Sequence, residues 1–246
     1  MTGERSVADT PIVLFHDSLG CVDLWRSFPA ALSKNTGRRV IAYDRLGFGK
    51  SGVRCDKLGL DFVSEEAETY FPALREQLGV ERFIAFGHSV GGGMALHCAA
   101  RFADIRDAVI TESAQAFVED RTVEGILNAK EQFQQEEQFA RLKKYHGDKA
   151  KWVLDAWTET WLDPRFAAFS LKAVLPRVRC PLLVIHGIHD EYASTRHPEM
   201  IAELSGGPSQ LEILADTYHV PHREREQAVV ALVTDFLASL KRLQAQ

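Results

Sequence analysis

The sequence predicts an α/β fold: a mostly parallel sheet of about six strands, covered by helices on both faces, with a helical segment inserted. Three observations predict it. Short apolar runs alternate with stretches of helical periodicity along most of the 246 residues, the order that builds a parallel sheet. Several runs are apolar at every position, as strands buried on both faces must be. Between about Ala114 and Ser170 the alternation stops and only helical periodicity remains.

Taken in order, Ile12 to Phe15 follows Pro11 as a first buried strand, and Leu24 to Leu32 carries apolar residues at helical spacing. Arg39 to Tyr43 is a second strand, closed by the turn Asp44 to Gly49. Phe62 to Leu78 reads as a helix ended by Gly79. Arg82 to Phe86 is a third strand, Gly92 to Phe102 a helix, and Ala108 to Thr111 a fourth strand. Val123, Ile126, Leu127, Phe133 and Leu142 then suit a broken amphipathic helix. Trp152, Val153, Trp157 and Trp161 suit another, which Asp163-Pro164 ends. Leu182 to His186 and Leu211 to Leu214 complete the strands, and Gln227 to Leu240 is a closing amphipathic helix. The expected organisation is a core of residues 1–113 and 171–246 with a helical cap of residues 114–170.

The length suits one sizeable domain carrying an insertion. A net charge of −5 and a pI near 6.0 give no electrostatic case for a nucleic-acid partner. No apolar run approaches the ~20 residues that span a bilayer. The opening MTGERSVADT has no apolar signal core, so the expectation is a cytoplasmic protein with no membrane partner. Cys21, Cys55, Cys98 and Cys180 are far apart with no C-x-x-C pair, the pattern of reduced, mostly buried thiols.

One stretch is anomalous in its glycine content, Ala85 to Ala95, AFGHSVGGGMA. A strand runs straight into Gly87-His88-Ser89-Val90-Gly91 and then a helix, the context that gives G-x-S-x-G meaning as a sharp turn exposing a serine nucleophile. The bland alternative is a glycine-rich helix start with Ser89 as a cap. A serine hydroxyl needs a base to take its proton and a carboxylate to orient that base. Two loops at carboxyl ends of later strands offer them. His186-Gly187-Ile188-His189-Asp190-Glu191 supplies Asp190, with Glu191 and His189 as neighbours. Asp216-Thr217-Tyr218-His219-Val220-Pro221-His222 supplies His219 or His222. A developing oxyanion needs donors, of which the amide of Val90, after the nucleophile, is one. The second should come from the loop after the first strand, Phe15 to Cys21.

These segments resemble the α/β-hydrolase superfamily over nearly the whole chain. His16-Asp17-Ser18-Leu19-Gly20 is similar to its H-G-x-x-G oxyanion loop, Asp44 to Ser51 to its D-x-x-G-x-G-x-S turn, and Gly87 to Gly91 to its nucleophile elbow. Gly187 to Asp190 resembles G-x-x-D, and His219 to Glu224 resembles H-x-P-x-x-E. The resemblance implies the α/β-hydrolase fold, Ser89 as nucleophile, Asp190 as acid, His219 rather than His222 as base, and the Ser18 amide as second oxyanion donor. It implies a capped serine hydrolase of small carboxylic esters or lactones that needs no cofactor and no metal, its partner a small acyl substrate. Relatives with the same triad cleave thioesters or the carbon–carbon bonds of meta-cleavage products. Others act as a menaquinone-pathway lyase, or use the pocket only to sense ligands.

Two departures matter. Asp17 stands where the family has glycine, and a carboxylate facing an oxyanion would oppose it, so the expectation is that Asp17 points away. Its loop looks like the N-S-L-G loop of 3-oxoadipate enol-lactonases, which implies carboxylate-bearing, enol-derived substrates. Also, only about ten residues precede the first strand, so the family's opening antiparallel hairpin is expected to be missing or vestigial.

Other signals carry less. Gly47-Phe48-Gly49-Lys50-Ser51 invites a phosphate-loop reading, but that motif needs glycine at the position of Asp44. The nine histidines include no zinc-like helical pair with a carboxylate, and His16, His88 and His186 read as packing or hydrogen-bonding residues near strand ends. Trp152, Trp157 and Trp161 pack the cap or line an apolar acyl pocket.

Overall fold

The computed structural model describes residues 10–244. The opening segment, on which the expectations about a signal core and a hairpin rest, lies outside them apart from its last residue, Thr10. Six strands form one sheet: β1 (Ile12–Phe15), β2 (Val40–Ala42), β3 (Phe83–His88), β4 (Arg106–Glu112), β5 (Leu182–Gly187) and β6 (Ser209–Leu214). Their spatial order is β2-β1-β3-β4-β5-β6 with every pairing parallel. The chain leaves β1 toward one edge and returns beyond it as β3. The carboxyl ends of β1 and β3 therefore flank the point where strand order reverses, the crevice where open α/β sheets bind ligands. The segments read from the sequence as nucleophile, acid and base all open from carboxyl ends on this rim.

Alternate residues divide the sheet between two apolar layers, as the period-2 geometry requires. Ile12, Leu14, Ile84, Phe86 and Ile110 pack against α1 (Phe28–Thr36) and α10 (Glu226–Gln244) through Phe28, Leu32, Val229, Val233 and Leu237. Val13, Phe15, Phe83, Ala85 and Val109 pack on the other side against α2 (Phe62–Glu65), α3 (Phe71–Leu78), α4 (Val90–Arg101) and α8 (Arg196–Leu204), with Phe71, Met94 and Ile201 at the contacts.

Element boundaries differ from the sequence reading where local chemistry intervenes. The helix expected over Leu24 to Leu32 starts at Phe28, after a short 3₁₀ turn at Val22–Trp25. Pro29 sits in its first turn, where a missing N–H costs nothing, and Gly37 closes it in the left-handed conformation at φ 68°. The helix expected over Phe62 to Leu78 is interrupted by a π turn at Glu66–Tyr70, which ends two residues before Pro72, whose ring and missing N–H disturb the preceding hydrogen bonds. Helix α8 has no counterpart in the sequence reading.

Between β4 and β5 lie α5 (Asp120–Gln132), α6 (Glu136–His146) and α7 (Ala150–Trp161). A third apolar cluster joins Leu142, Ala150, Val153 and Leu154 of these helices to Phe48, from the turn after β2. His146, the last residue of α6, completes the joint. Its Nδ1 accepts the Gly49 amide at 2.9 Å and its Nε2 donates to the Leu19 carbonyl at 3.0 Å, and burial lowers its pKa.

Candidate active site

Ser89 follows β3 with φ 56° and ψ −126°, a conformation L residues rarely adopt and which persists only where its surroundings enforce it. The neighbouring glycines are what permit the turn. A Cβ on Gly87 would lie 2.1 Å from the Gly91 carbonyl oxygen, and one on Gly91 would lie 2.1 Å from that of Phe15. The elbow is thus wedged against β1 and its own helix. Val90 is the first residue of α4, so its amide has no intrahelical acceptor.

Ser89 Oγ stands 3.0 Å from His219 Nε2, and His219 Nδ1 stands 2.8 Å from Asp190 Oδ2. Asp190 is fully buried. Its other oxygen accepts the amides of Tyr192 at 2.8 Å and Ala193 at 3.1 Å. Burial alone would raise this carboxyl, but His219, His186 and the Tyr192 amide outweigh it and hold Asp190 down at about 2. An ionised Asp190 accepts a hydrogen bond from the Nδ1–H of His219 and so leaves the Nε2 lone pair facing the serine hydroxyl. Gln115, just beyond β4, brings Oε1 within 3.1 Å of the same hydroxyl.

The neighbours of Asp190 and His219 take no place in this relay. His189 and Glu191 are exposed. His222 donates from Nδ1 to Glu112 Oε2 at 2.5 Å, its ring against Trp25 and Phe28. His186 Nε2 donates to the Ala193 carbonyl at 3.1 Å and so supports the acid's loop. His16 Nδ1 donates to the Asp17 carbonyl at 2.8 Å, while its Nε2 accepts the Arg45 amide at 3.2 Å.

Asp17 turns its carboxylate to the Leu19 amide and to His88. It borders the same cavity as Ser89. Its Oδ1 accepts the Leu19 amide at 2.8 Å and its Oδ2 lies 3.2 Å from His88 Nδ1. His88 in turn donates from Nε2 to the His219 carbonyl at 2.8 Å. With acceptors at both nitrogens, the ring is satisfied only as the imidazolium. Burial would lower its pKa, yet the Asp17 carboxylate, Glu112 and the His219 carbonyl push it up to about 9. Asp17 is correspondingly held well below the usual carboxylate range, against the effect of burial, chiefly by His88. The sequence placed His88 only as a packing or hydrogen-bonding residue.

His88, Glu112 and His222 also bring possible ligand atoms within 4.8 Å of one another. His88 Nε2 and His222 Nδ1 are already spent on hydrogen bonds, and His88 Nδ1 faces the Asp17 carboxylate at 3.2 Å, so the group is a paired polar network rather than an open ligand set. Of the cysteines, Cys21, Cys98 and Cys180 are buried free thiols and Cys55 is an exposed one.

A cavity of about 220 Å³ opens over Ser89 and His219. Ser18 lies on its wall, beside Leu19, Thr122, Ile126, Tyr192 and Val220. Trp157 and Trp161 line it and Trp152 does not. The reason is helical phase: Trp157 and Trp161 are four residues apart and share a face, whereas Trp152 is five residues earlier and turned away. Trp152 donates from Nε1 to the Asp56 carbonyl at 3.0 Å and meets Phe48 edge-on at 5.5 Å. It belongs to the joint between the inserted helices and the core. Asp17 and Glu191 are the carboxylates on the cavity wall, and no Lys or Arg lines it among the described residues.

Comparison with known proteins agrees with this architecture. Over 96 residues the chain is 34% identical to a proline iminopeptidase of Lactobacillus helveticus, a match covering 39% of this chain and 32% of that protein. It is 33% identical over 95 residues to a (lyso)-N-acylphosphatidylethanolamine lipase of Bos taurus, covering 39% and 27%. The matches thus span about a third of the length of these curated relatives. Among solved structures, a bacterial membrane phospholipase A superposes with a TM-score of 0.77 at 21% identity, covering 96% of this chain and 81% of that one. An enol-lactonase from Burkholderia xenovorans LB400 superposes with a TM-score of 0.70 at 24% identity, covering 94% and 92%. Residues 10–226 match the α/β hydrolase fold family itself. The chain therefore belongs to the α/β hydrolase fold family.

Proposed function

We propose that this protein is a serine hydrolase of small, uncharged carboxylic esters or lactones, working through an acyl-enzyme. The observation that carries the reading is the continuous relay from Ser89 Oγ to His219 Nε2 at 3.0 Å and from His219 Nδ1 to Asp190 at 2.8 Å. His219 takes the serine proton as Ser89 attacks the carbonyl carbon. Asp190 orients the imidazole and stabilises its charged form without itself taking the proton. The amides of Val90 and Ser18 receive the oxyanion, each such donor being worth ~10²–10³ in turnover. His219 then protonates the leaving alkoxide, and water, deprotonated by the same histidine, releases the acid. The helices between β4 and β5 serve as a cap, with Trp157 and Trp161 on the acyl pocket. None of these steps calls on a cofactor or a metal.

The charge on the cavity wall favours an uncharged acyl group. A carboxylate on the substrate would meet Glu191, find the His88 cation already paired with Asp17, and find no Lys or Arg to pair with among the described lining residues, and an unpaired charge is costly to desolvate. That argues against the carboxylate-bearing substrates suggested by the Asp17 to Gly20 loop. A turnover panel tests the reading: short esters, a thioester, an enol lactone and a meta-cleavage product. Fastest turnover of a short neutral ester or lactone supports it. Fastest turnover of the meta-cleavage product would replace it with carbon–carbon bond hydrolysis.

A further inference from the structure

Asp17 and His88 have no step in the acyl-transfer scheme, yet together they border its oxyanion loop, its nucleophile and its base. Asp17 precedes Ser18 on the oxyanion loop, and His88 precedes the nucleophile on the elbow. The Asp17 carboxylate takes the Leu19 amide at 2.8 Å, which fixes the turn presenting Ser18, and faces His88 Nδ1 at 3.2 Å. The far side of the same ring donates to the main-chain carbonyl of His219 at 2.8 Å. One buried imidazole thus spans the oxyanion loop and the backbone of the base.

An unpaired carboxylate on this loop would raise the energy of an oxyanion forming beside it. The cation needed to cancel it is already present. We propose that the half-buried Asp17 and the buried His88 form a permanent ion pair that acts as a positioning device. It cancels the carboxylate that replaces glycine in the oxyanion loop, and it ties that loop to the elbow and to the backbone of His219. Neither residue exchanges a proton during turnover.

Other charged and titratable groups around His88 are Glu112 at the end of β4, His222 from the short helix α9 (Pro221–Glu224) and His219 itself. Glu112 is already paired with His222 at 2.5 Å. Asp17 remains the carboxylate with a direct contact to His88. The imidazolium stays protonated to about 9, above the neutral range in which the hydrolase would work.

The turnover readout rests on the serine-hydrolase reading, so a second readout, the NMR titration of the His88 ring, is included to stand without it. Asp17→Asn, His88→Gln and the double variant are compared, with kcat taken per active site titrated by a fluorophosphonate. Each single change should lower kcat by ~10–100-fold with KM moved less than about threefold, His88→Gln more than Asp17→Asn because it leaves the carboxylate uncancelled. In the double variant the losses should fall short of their product by at least about tenfold, the mark of a coupled pair. Wild-type kcat should decline above about pH 9, and Asp17→Asn should bring that decline at least about one unit lower because the counter-charge is gone. The NMR titration of His88 should shift down in step. Strictly additive losses, an unmoved alkaline decline, or a wild-type His88 that titrates as an ordinary histidine would each overturn the proposal. If His88→Gln does not fold, the pH profile and titration of Asp17→Asn decide alone. Absence of ester turnover and of labelling in the wild type, with His88 still titrating high, would sink the hydrolase reading and leave the pair standing.

Discussion

His222 donates a hydrogen bond from Nδ1 to Glu112 Oε2 at 2.5 Å, while His219, three residues earlier, faces Ser89 and Asp190. Two histidines that look interchangeable in the loop after β6 therefore have separate tasks. His219→Ala should cut kcat by ~10⁴-fold or more while the folded fraction is unchanged. His222→Ala should leave kcat within about tenfold but lower stability by ~3 kcal/mol, because it strands a buried carboxylate. Kinetics alongside urea unfolding checks both, and equal kcat losses would contradict the assignment.

Stability should depend on pH at both ends. His88 is raised in the folded state from its ordinary 6.5 to about 9, so its contribution is complete below about 6.5 and is lost as pH rises through about 9. Asp190 is lowered from 3.8 to about 2, so its contribution is present above about 4 and fades as pH falls toward 2. Thermal melts across pH should fall off on both sides of neutrality, and Asp17→Asn should flatten the alkaline side.

The elbow makes a steric prediction. Gly91→Ala would drive a methyl into the Phe15 carbonyl at 2.1 Å, backbone that cannot yield without shifting β1. We expect a loss of ~3 kcal/mol or more, or no soluble protein. A variant as stable as wild type would mean that the elbow is not held against β1.

Acyl selection should follow α7. Trp157→Ala removes a ring from the cavity wall and should raise the kcat/KM ratio of a longer to a shorter neutral acyl ester by ~10-fold or more. Glu191→Lys should do the analogous thing for charge, improving a monoester of a dicarboxylic acid relative to its neutral isostere by ~10-fold. Trp152→Ala, which alters the joint with Phe48 instead, should leave both ratios unchanged.

How much of this was legible in the sequence depended on whether the signal was local. Apolar runs, several of them flanked by Pro or Gly, marked all six strands, and the glycines around Ser89 marked the elbow, because crowding there admits no side chain. Strands β3 and β4 end beyond their apolar runs, since hydrogen bonding continues into His88 and Glu112, whereas β2 keeps only Val40–Ala42 of the run from Arg39 to Tyr43. Helix α8 was missed between two loops already read for their chemistry. The Asp17–His88 contact joins residues 71 positions apart and has no local signature. Its one trace was the departure at Asp17, which raised the question of where the charge goes without supplying the partner. Gln115 was likewise invisible, a lone polar residue after β4 that matters only because β4 lies beside the elbow strand.

The central claim is that the hydroxyl at Ser89 is made reactive by His219. Peptide mapping after treatment with a fluorophosphonate measures this directly, as the rate and site of covalent labelling. The account predicts one adduct per chain on the peptide containing Ser89, none in Ser89→Ala, and labelling slowed by ~10³-fold or more in His219→Ala. Labelling that survives Ser89→Ala, or that proceeds at the wild-type rate without His219, would contradict it.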